Sequence, residues 1–330
     1  VVPPRPIYDD ALLLEILNGD PDPAVAFYGG EPLLNSPFVE RISRALAGRA
    51  KLVLQTNGLL IRRLDVDVLR SFDAILLSID GVEEVTDRHR GRGVYARVLD
   101  AARYLRSIKY SGDLIARMTA TADTDIRRDV DHLLSIGLFD HVHWQLNVVW
   151  SPAWNFEKWA AESYLPGIES LVDEWVSSIE SGRVLGIAPF QGIAMRHVLG
   201  GPYPPCGAGS TAVAISTDGR ILACPIAVSE RWAEMGSLSS GYRPEPRRYP
   251  VNEECSACEY NRECGGRCLY SFMERLWGAS GHESVCRVTR DTIRAVLRRF
   301  DVIERAVSSG VVRWDDVFYP SFNNTVEIIP

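Results

Sequence analysis

Seven cysteines stand in this 330-residue chain, and none precedes Cys206. Cys206 and Cys224 frame Gly219 as C-x12-G-x4-C, and the stretch CSACEYNRECGGRC then supplies Cys255, Cys258, Cys264 and Cys268 as C-x2-C-x5-C-x3-C. Cys286 follows alone. Thiols at such gaps can pair as disulfides, hold zinc, or bind iron–sulfur clusters. An odd count in a chain rich enough in apolar residues for a large core weighs against a disulfide framework. C-x2-C knuckles followed by further cysteines suit structural zinc, and seven thiols would serve one four-thiolate and one three-thiolate site. Compact runs of four also suit iron–sulfur clusters, and in two-cluster ferredoxins the last cysteine of a run serves the other cluster. The spacing by itself leaves zinc and iron–sulfur open.

The bulk composition is that of an ordinary globular protein, 46% hydrophobic and 24% charged. A net charge of −7 speaks against a nucleic-acid surface, which needs a positive field. Arg290, Arg294 and Arg298 fall at helical spacing and read as a solvated helix face. No apolar run is long enough to span a membrane and no secretory signal is present, so the expectation is a cytoplasmic protein. The chain begins VVPPRP without Met, the start expected of a sequence whose true N-terminus is missing.

Positioning elements follow from periodicity. Apolar, β-branched runs at 24–28, 51–56, 73–79, 114–120 and 141–149 alternate with amphipathic helical stretches. Strands that alternate with helices predict a parallel sheet with right-handed crossovers, as an open sheet or a barrel. Residues 1–150 are assigned to this unit. Residues 151–200, with Trp154, Trp159 and Trp175 and a helix around ESLVDEWVSSIESG, read as a helical bridge. Residues 201–330 form a cysteine-rich unit with a C-terminal helix, in which TAVAISTDGRILACP predicts a hairpin turning at Asp218-Gly219.

The first strand ends in AFYGGEPLL, with Gly29, Gly30 and Glu31 at the C-terminal edge where parallel sheets bind ligands. Two glycines let backbone carbonyls approach a ligand. With Glu31 as a further acceptor, the loop suits an ammonium group better than a phosphate. LQTNG and LLSIDG end the next two strands and add Gln55, Asn57, Ser78 and Asp80 at the same edge.

Three such strand ends resemble those of the radical SAM enzymes, and the seven-cysteine spacing is similar to their SPASM extension. DRHRGRG, Asp87 to Gly93, also looks like the loop after the SIDG strand in that family. The resemblance implies a partial (β/α)6 TIM-like barrel lacking its first strand, followed by a small SPASM domain with a β-hairpin and helices. It implies S-adenosylmethionine bound by Gly29, Gly30, Glu31, Asn57, Ser78 and Asp80. Arg90 and Arg117 are candidates for the cofactor carboxylate, since arginine makes bidentate contacts. Two auxiliary [4Fe–4S] clusters are also implied. Cys206, Cys224 and Cys268 would hold the first, leaving one iron without a thiol; Cys255, Cys258, Cys264 and Cys286 would hold the second.

Two departures from the family matter. The signature C-x3-C-x2-C of the catalytic cluster is absent from the chain, so this chain alone is expected to be inactive while the complete protein is expected to be an enzyme. Cys224 is followed by Pro225, where sulfatase-maturing relatives carry a proton-accepting Asp. The implied reaction is reductive cleavage of S-adenosylmethionine to a 5′-deoxyadenosyl radical that abstracts hydrogen from a peptide or small protein. An electron donor such as a flavodoxin or ferredoxin is implied too. Alternation places His141, His143, Gln145 and Asn147 of HVHWQLN on one strand face as candidate substrate-facing residues. Trp150, Trp154 and Trp159 are candidates for a peptide groove, with core packing as their other reading. The competing function is a non-catalytic zinc- or cluster-binding module, descended from such an enzyme, that binds peptide.

Overall fold

The computed structural model of the protein describes residues 2–149, 151–240, 249–320 and 322–323, so Trp150 lies outside the described residues. Five strands form one parallel sheet in sequential order: β1 (Ala24–Phe27), β2 (Lys51–Thr56), β3 (Ala74–Ser78), β4 (Asp113–Ala120) and β5 (His141–Leu146). Registers run Phe27 with Leu54, Thr56 with Leu77, Ser78 with Arg117, and Thr119 with Gln145. The sequence folds this way because β2 to β4 are apolar on both faces, and only a sheet covered on both sides buries them. Past β5 an isolated parallel bridge joins Val142 to Ile187, and the Val142 amide donates to Gly186 O at 2.7 Å. The result is the expected partial barrel.

Between strands run the helices Ser36–Leu46, Val66–Arg70, Glu83–Arg90, Val94–Ser107 and Ile126–Ser135. They cover the sheet face that carries Leu52, Leu54, Ile75, Leu77, Leu114 and Ala116, all buried. Leu77 meets Ala101 of the helix Val94–Ser107 around Gly58, which marks this face as the outer one. The opposite face is apolar toward the strand starts, with Val53, Leu76 and Ile115 buried. Toward the strand ends it turns polar, with Gln55, Ser78, Arg117, Thr119 and Gln145.

The aromatic segment after β5 is core. Trp159 Nε1 donates to Thr124 O at 2.9 Å, and Trp154 Nε1 donates to Asn147 O at 3.1 Å. Trp154 packs edge-on against Phe156, Trp159 and Trp277, so these indoles fill space between elements. Trp175, fully buried, packs on Phe190. The helices Leu165–Glu180, Ala188–Leu199, Gly278–Leu297 and Phe300–Ser308 contribute to the same core as the sheet. On the third of these, Arg290 pairs with Glu283, Arg294 with Asp291 and Arg298 with Glu169, an ion-paired surface.

A second apolar core gathers Ile221, Ala223, Cys224, Met235, Cys268, Leu269 and Phe272. Its sheet is antiparallel, β6 (Ala214–Ile215), β7 (Arg220–Leu222) and β8 (Glu234–Ser237). β6 and β7 are the predicted hairpin. The Gly219 amide closes it on Ser216 O at 2.9 Å, and Asp218 Oδ1 accepts from the Arg220 amide. Among the described residues no helix is long and apolar enough to cross a membrane.

Candidate cofactor and cluster sites

Gly29 leaves β1 with φ +102°, a left-handed conformation open to glycine. A Cβ at Gly29 or Gly30 would meet nothing within 4 Å, so the loop faces open space and its backbone is approachable. Glu31 turns the other way. Its Oε1 accepts from the Leu33 amide at 2.9 Å and from Thr56 Oγ1 at 2.8 Å, and its Oε2 accepts from the Asn57 amide at 2.8 Å. The carboxylate therefore clamps the end of β1 to the end of β2, directly after the glycine loop. Asn57 is similarly engaged, its Oδ1 accepting from the Leu59 amide at 2.9 Å.

After β3 the outcome also differs from expectation. Asp80 and Arg90 were both candidates for the cofactor, and they bind each other. Arg90 Nε and Nη2 donate to Asp80 Oδ2 and Oδ1 at 2.6 and 2.7 Å. Asp80 Oδ1 also accepts from the Thr119 amide at 2.8 Å, and the Asp80 amide donates to Thr86 Oγ1 at 3.0 Å. The fork that would grip a carboxylate of the cofactor is closed on a carboxylate of the protein, which braces the ends of β3 and β4. Asp80→Asn is expected to cost about 2 kcal/mol of stability in urea unfolding, because it takes the charge of a buried carboxylate out of its bidentate pair with the partly exposed Arg90 guanidinium.

Arg117, by contrast, forms no ion pair among the described residues. It lies beside Ser78 in register, and its Nη2 donates to Gln145 Oε1. Its Nε is buried without a partner among the described residues, and so is Gln55 Oε1 on the same sheet face. A buried donor and a buried acceptor left over at one edge ask for a polar ligand. Gln55 stood at this edge in the sequence, but its alternation with Leu54 and Thr56 was needed to aim it inward.

The histidine strand splits. His141 opens β5, about 20 Å from Asn147 at a strand rise of roughly 3.3 Å per residue. Its Nδ1 is 2.7 Å from Asp113 Oδ1, and Tyr319 Oη donates to Asp113 Oδ2 at 3.1 Å. His141 thus belongs to the seal at the strand starts, away from the cofactor edge, because strand position outranks shared face. His143 is fully buried, Gln145 receives Arg117, and Asn147 lies at the ligand edge.

None of the seven cysteines is in a disulfide. Cys224 and Cys268 belong to the second core, with Cys206 and Cys255 packed against it, whereas Cys264 packs against the first. The divergence is local: Gly265, Gly266 and Arg267 carry φ of +57°, +82° and +56° in succession. Two glycines make such a left-handed reversal inexpensive, so Cys264 and Cys268 leave it toward different cores. Burial pushes the Cys264 thiol up to about 12, with Cys286 and Cys255 adding repulsion. Burial likewise raises Cys255, where Cys286 and Cys258 add to it, and it raises Cys286, which feels Cys258 as well. These four thiols therefore lie within electrostatic reach of one another. Among the described residues no three His, Cys, Asp or Glu side chains close on a single metal ion. Four thiolates around one zinc would stand about 3.8 Å apart.

A parallel sheet with polar groups at its strand ends is a ligand-binding architecture shared by many enzyme classes. Over residues 4–133 the chain matches the family described as the Radical SAM superfamily. It is 22% identical over 293 residues to the cysteine-type anaerobic sulfatase-maturating enzyme of Clostridium perfringens (strain 13 / Type A), covering 78% of this chain and 77% of the relative. It is 24% identical over 322 residues to the PqqA peptide cyclase of Gluconobacter oxydans (strain 621H), covering 89% and 83%. The solved structure of native anSMEcpe with bound AdoMet and Cp18Cys peptide superposes with a TM-score of 0.70 at 18% identity, over 92% of this chain and 91% of that one.

Proposed function

We propose that this radical SAM enzyme acts on a peptide or small protein, with S-adenosylmethionine at the Gly29–Gly30 edge of the barrel and iron–sulfur clusters on the seven cysteines. One observation carries the cofactor reading: an open glycine loop shares a sheet edge with the unpartnered buried atoms Gln55 Oε1 and Arg117 Nε. Backbone carbonyls of Gly29 and Gly30 would take the ammonium of the cofactor. Arg117, with Ser78 beside it, would take the carboxylate. S-Adenosylmethionine, when bound and reduced, supplies the hydrogen-abstracting chemistry; the protein orients it and keeps water out. In this reading residues 1–150 hold the cofactor, 151–200 bridge, and 201–330 carry the clusters and the C-terminal helix.

The second core gathers Cys206, Cys224 and Cys268, with Cys255 at its margin, which supports the first three as ligands of one cluster. The electrostatic grouping supports Cys255, Cys258, Cys264 and Cys286 as ligands of the other. A peptide substrate is supported by relatives named for sulfatase maturation and for peptide cyclisation. His143, Gln145 and Asn147 would face it. Pro225 after Cys224 turns the reading away from formylglycine formation. A low-potential donor such as a flavodoxin or ferredoxin and a cytoplasmic setting go with this chemistry, as thiolate-bound clusters need a reducing compartment.

Anaerobic reconstitution tests the assignment. Iron and sulfide should load together, with absorbance near ~400 nm, and equilibrium dialysis should show S-adenosylmethionine bound. A colourless protein containing zinc, which is d¹⁰, would overturn the cluster assignment.

A further inference from the structure

Arg196, on the helix Ala188–Leu199, is 1% exposed and forms no ion pair among the described residues. All three of its nitrogens donate to backbone carbonyls: Nε to Glu263 O at 2.6 Å, Nη1 to Pro202 O at 2.9 Å and Nη2 to Arg262 O at 3.0 Å. Two of these acceptors lie in the short helix Asn261–Cys264 that ends at Cys264, and the third lies in the segment leading to Cys206. Space for the guanidinium exists because Gly201 and Gly265 have no Cβ; one at either position would crowd it. Tyr203 stacks nearby, its ring centroid 5.5 Å from the guanidinium carbon.

Neutral carbonyls satisfy the N–H groups but do not neutralise the charge, and a buried charge needs an opposite one. The nearest carboxylate, Glu263, is 4% exposed and is joined to His197 Nδ1 at 2.7 Å, not to Arg196. His197 packs in turn on Phe300. The other groups whose negative charge would act on Arg196 are Tyr203 as a phenolate and Cys264 and Cys206 as thiolates. These two cysteines belong to different sets in the ligand assignment above.

We propose that Arg196 is a positioning residue that ties together the segments bearing Cys206 and Cys264, and that its buried positive charge raises the reduction potential of the clusters they ligate. This rests on the cluster reading of the seven cysteines. A fixed cation in a low-dielectric interior favours the form carrying the extra electron, and cluster potentials follow local net charge and hydrogen bonding. The charge also offsets the cost of gathering thiolates around a buried group.

The test is a potentiometric titration of the reconstituted full chain, followed by electron paramagnetic resonance, with iron and sulfide content measured alongside. Arg196→Gln should lower the reduced-to-oxidised ratio at the wild-type midpoint at least tenfold, about 59 mV for one electron. Arg196→Lys, which keeps the charge, should stay within about threefold of wild type. Glu263→Gln retains an acceptor for His197 and removes a negative charge, so it should shift the ratio the opposite way. A fully loaded Arg196→Gln protein at the wild-type potential overturns the inference. If that variant does not fold, an unmoved potential in Glu263→Gln overturns it. A wild-type chain that takes up no iron and sulfide overturns the cluster reading, and this inference with it.

Discussion

Cys264→Ser and Cys268→Ser are expected to lose different clusters, although only three residues separate them. Each substitution should remove about four irons from the reconstituted protein. Cys264→Ser should abolish the spectrum of the cluster shared with Cys255, Cys258 and Cys286 and leave the other. Cys268→Ser should do the converse, and the double variant should retain almost no iron. Iron analysis and low-temperature electron paramagnetic resonance of the three proteins decide this. The expectation rests on the left-handed reversal at Gly265–Arg267, which sends the two thiols toward different apolar cores. If both single variants lose the same signal, the CSACEYNRECGGRC stretch is one four-thiolate site and the division is wrong. Stability should follow the metal. Ligands pushed up by burial, as Cys264 is, are held as thiolates only by metal bonds, so chelation should loosen the second core before the barrel.

Glu31→Ala is expected to be the most damaging change at the cofactor edge that touches no cofactor. It removes a carboxylate that accepts from Leu33, Thr56 and Asn57, leaving three donors to find other partners. Hydrogen bonds to a charged group contribute about 1.5–3 kcal/mol each, and sharing of one acceptor makes them less than additive. A loss of about 3 kcal/mol in urea unfolding is expected, with S-adenosylmethionine affinity falling more than tenfold as β1 and β2 lose their clamp. Gly30→Ala is the contrast. Its Cβ would meet nothing within 4 Å, so stability should be nearly unchanged, while a methyl group now stands where the ligand must approach. If Gly30→Ala binds the cofactor as wild type does, the ligand does not lie against this loop. If Glu31→Ala unfolds as wild type does, the clamp contributes nothing.

Much of the fold was legible in the sequence because its signals are local. AVAF, KLVLQT and AILLS are short apolar runs bounded by turn residues, and they became β1, β2 and β3. Asp218-Gly219 specified the hairpin because glycine tolerates the φ of +85° its turn requires. The candidate site was legible only as a set of strand ends. Asp80 and Arg90 both look like ligand-binding groups, and ten residues of separation do not reveal that helix Glu83–Arg90 returns the guanidinium onto the carboxylate. His141 and Asn147 share a strand face, yet the sheet places them at opposite edges, one beside Tyr319 from the far end of the chain.

Arg196 shows the same limit from the other side. One arginine in a largely buried helix carries no signal of its own, and its importance arises from carbonyls more than sixty residues away.

By itself the sequence determined residue types and their local spacing: which thiols could be ligands, where glycine opens a strand end, and which runs are buried on both faces. These depend on side-chain chemistry and backbone steric preference, which act over a few residues. Only the tertiary structure decided which polar groups consume one another and which are left for a ligand. It set Cys264 and Cys268 against different apolar cores and enclosed an arginine between two cysteine-bearing segments. Those outcomes depend on charges and donors distant in sequence sharing one low-dielectric interior, where each must find its partner in space.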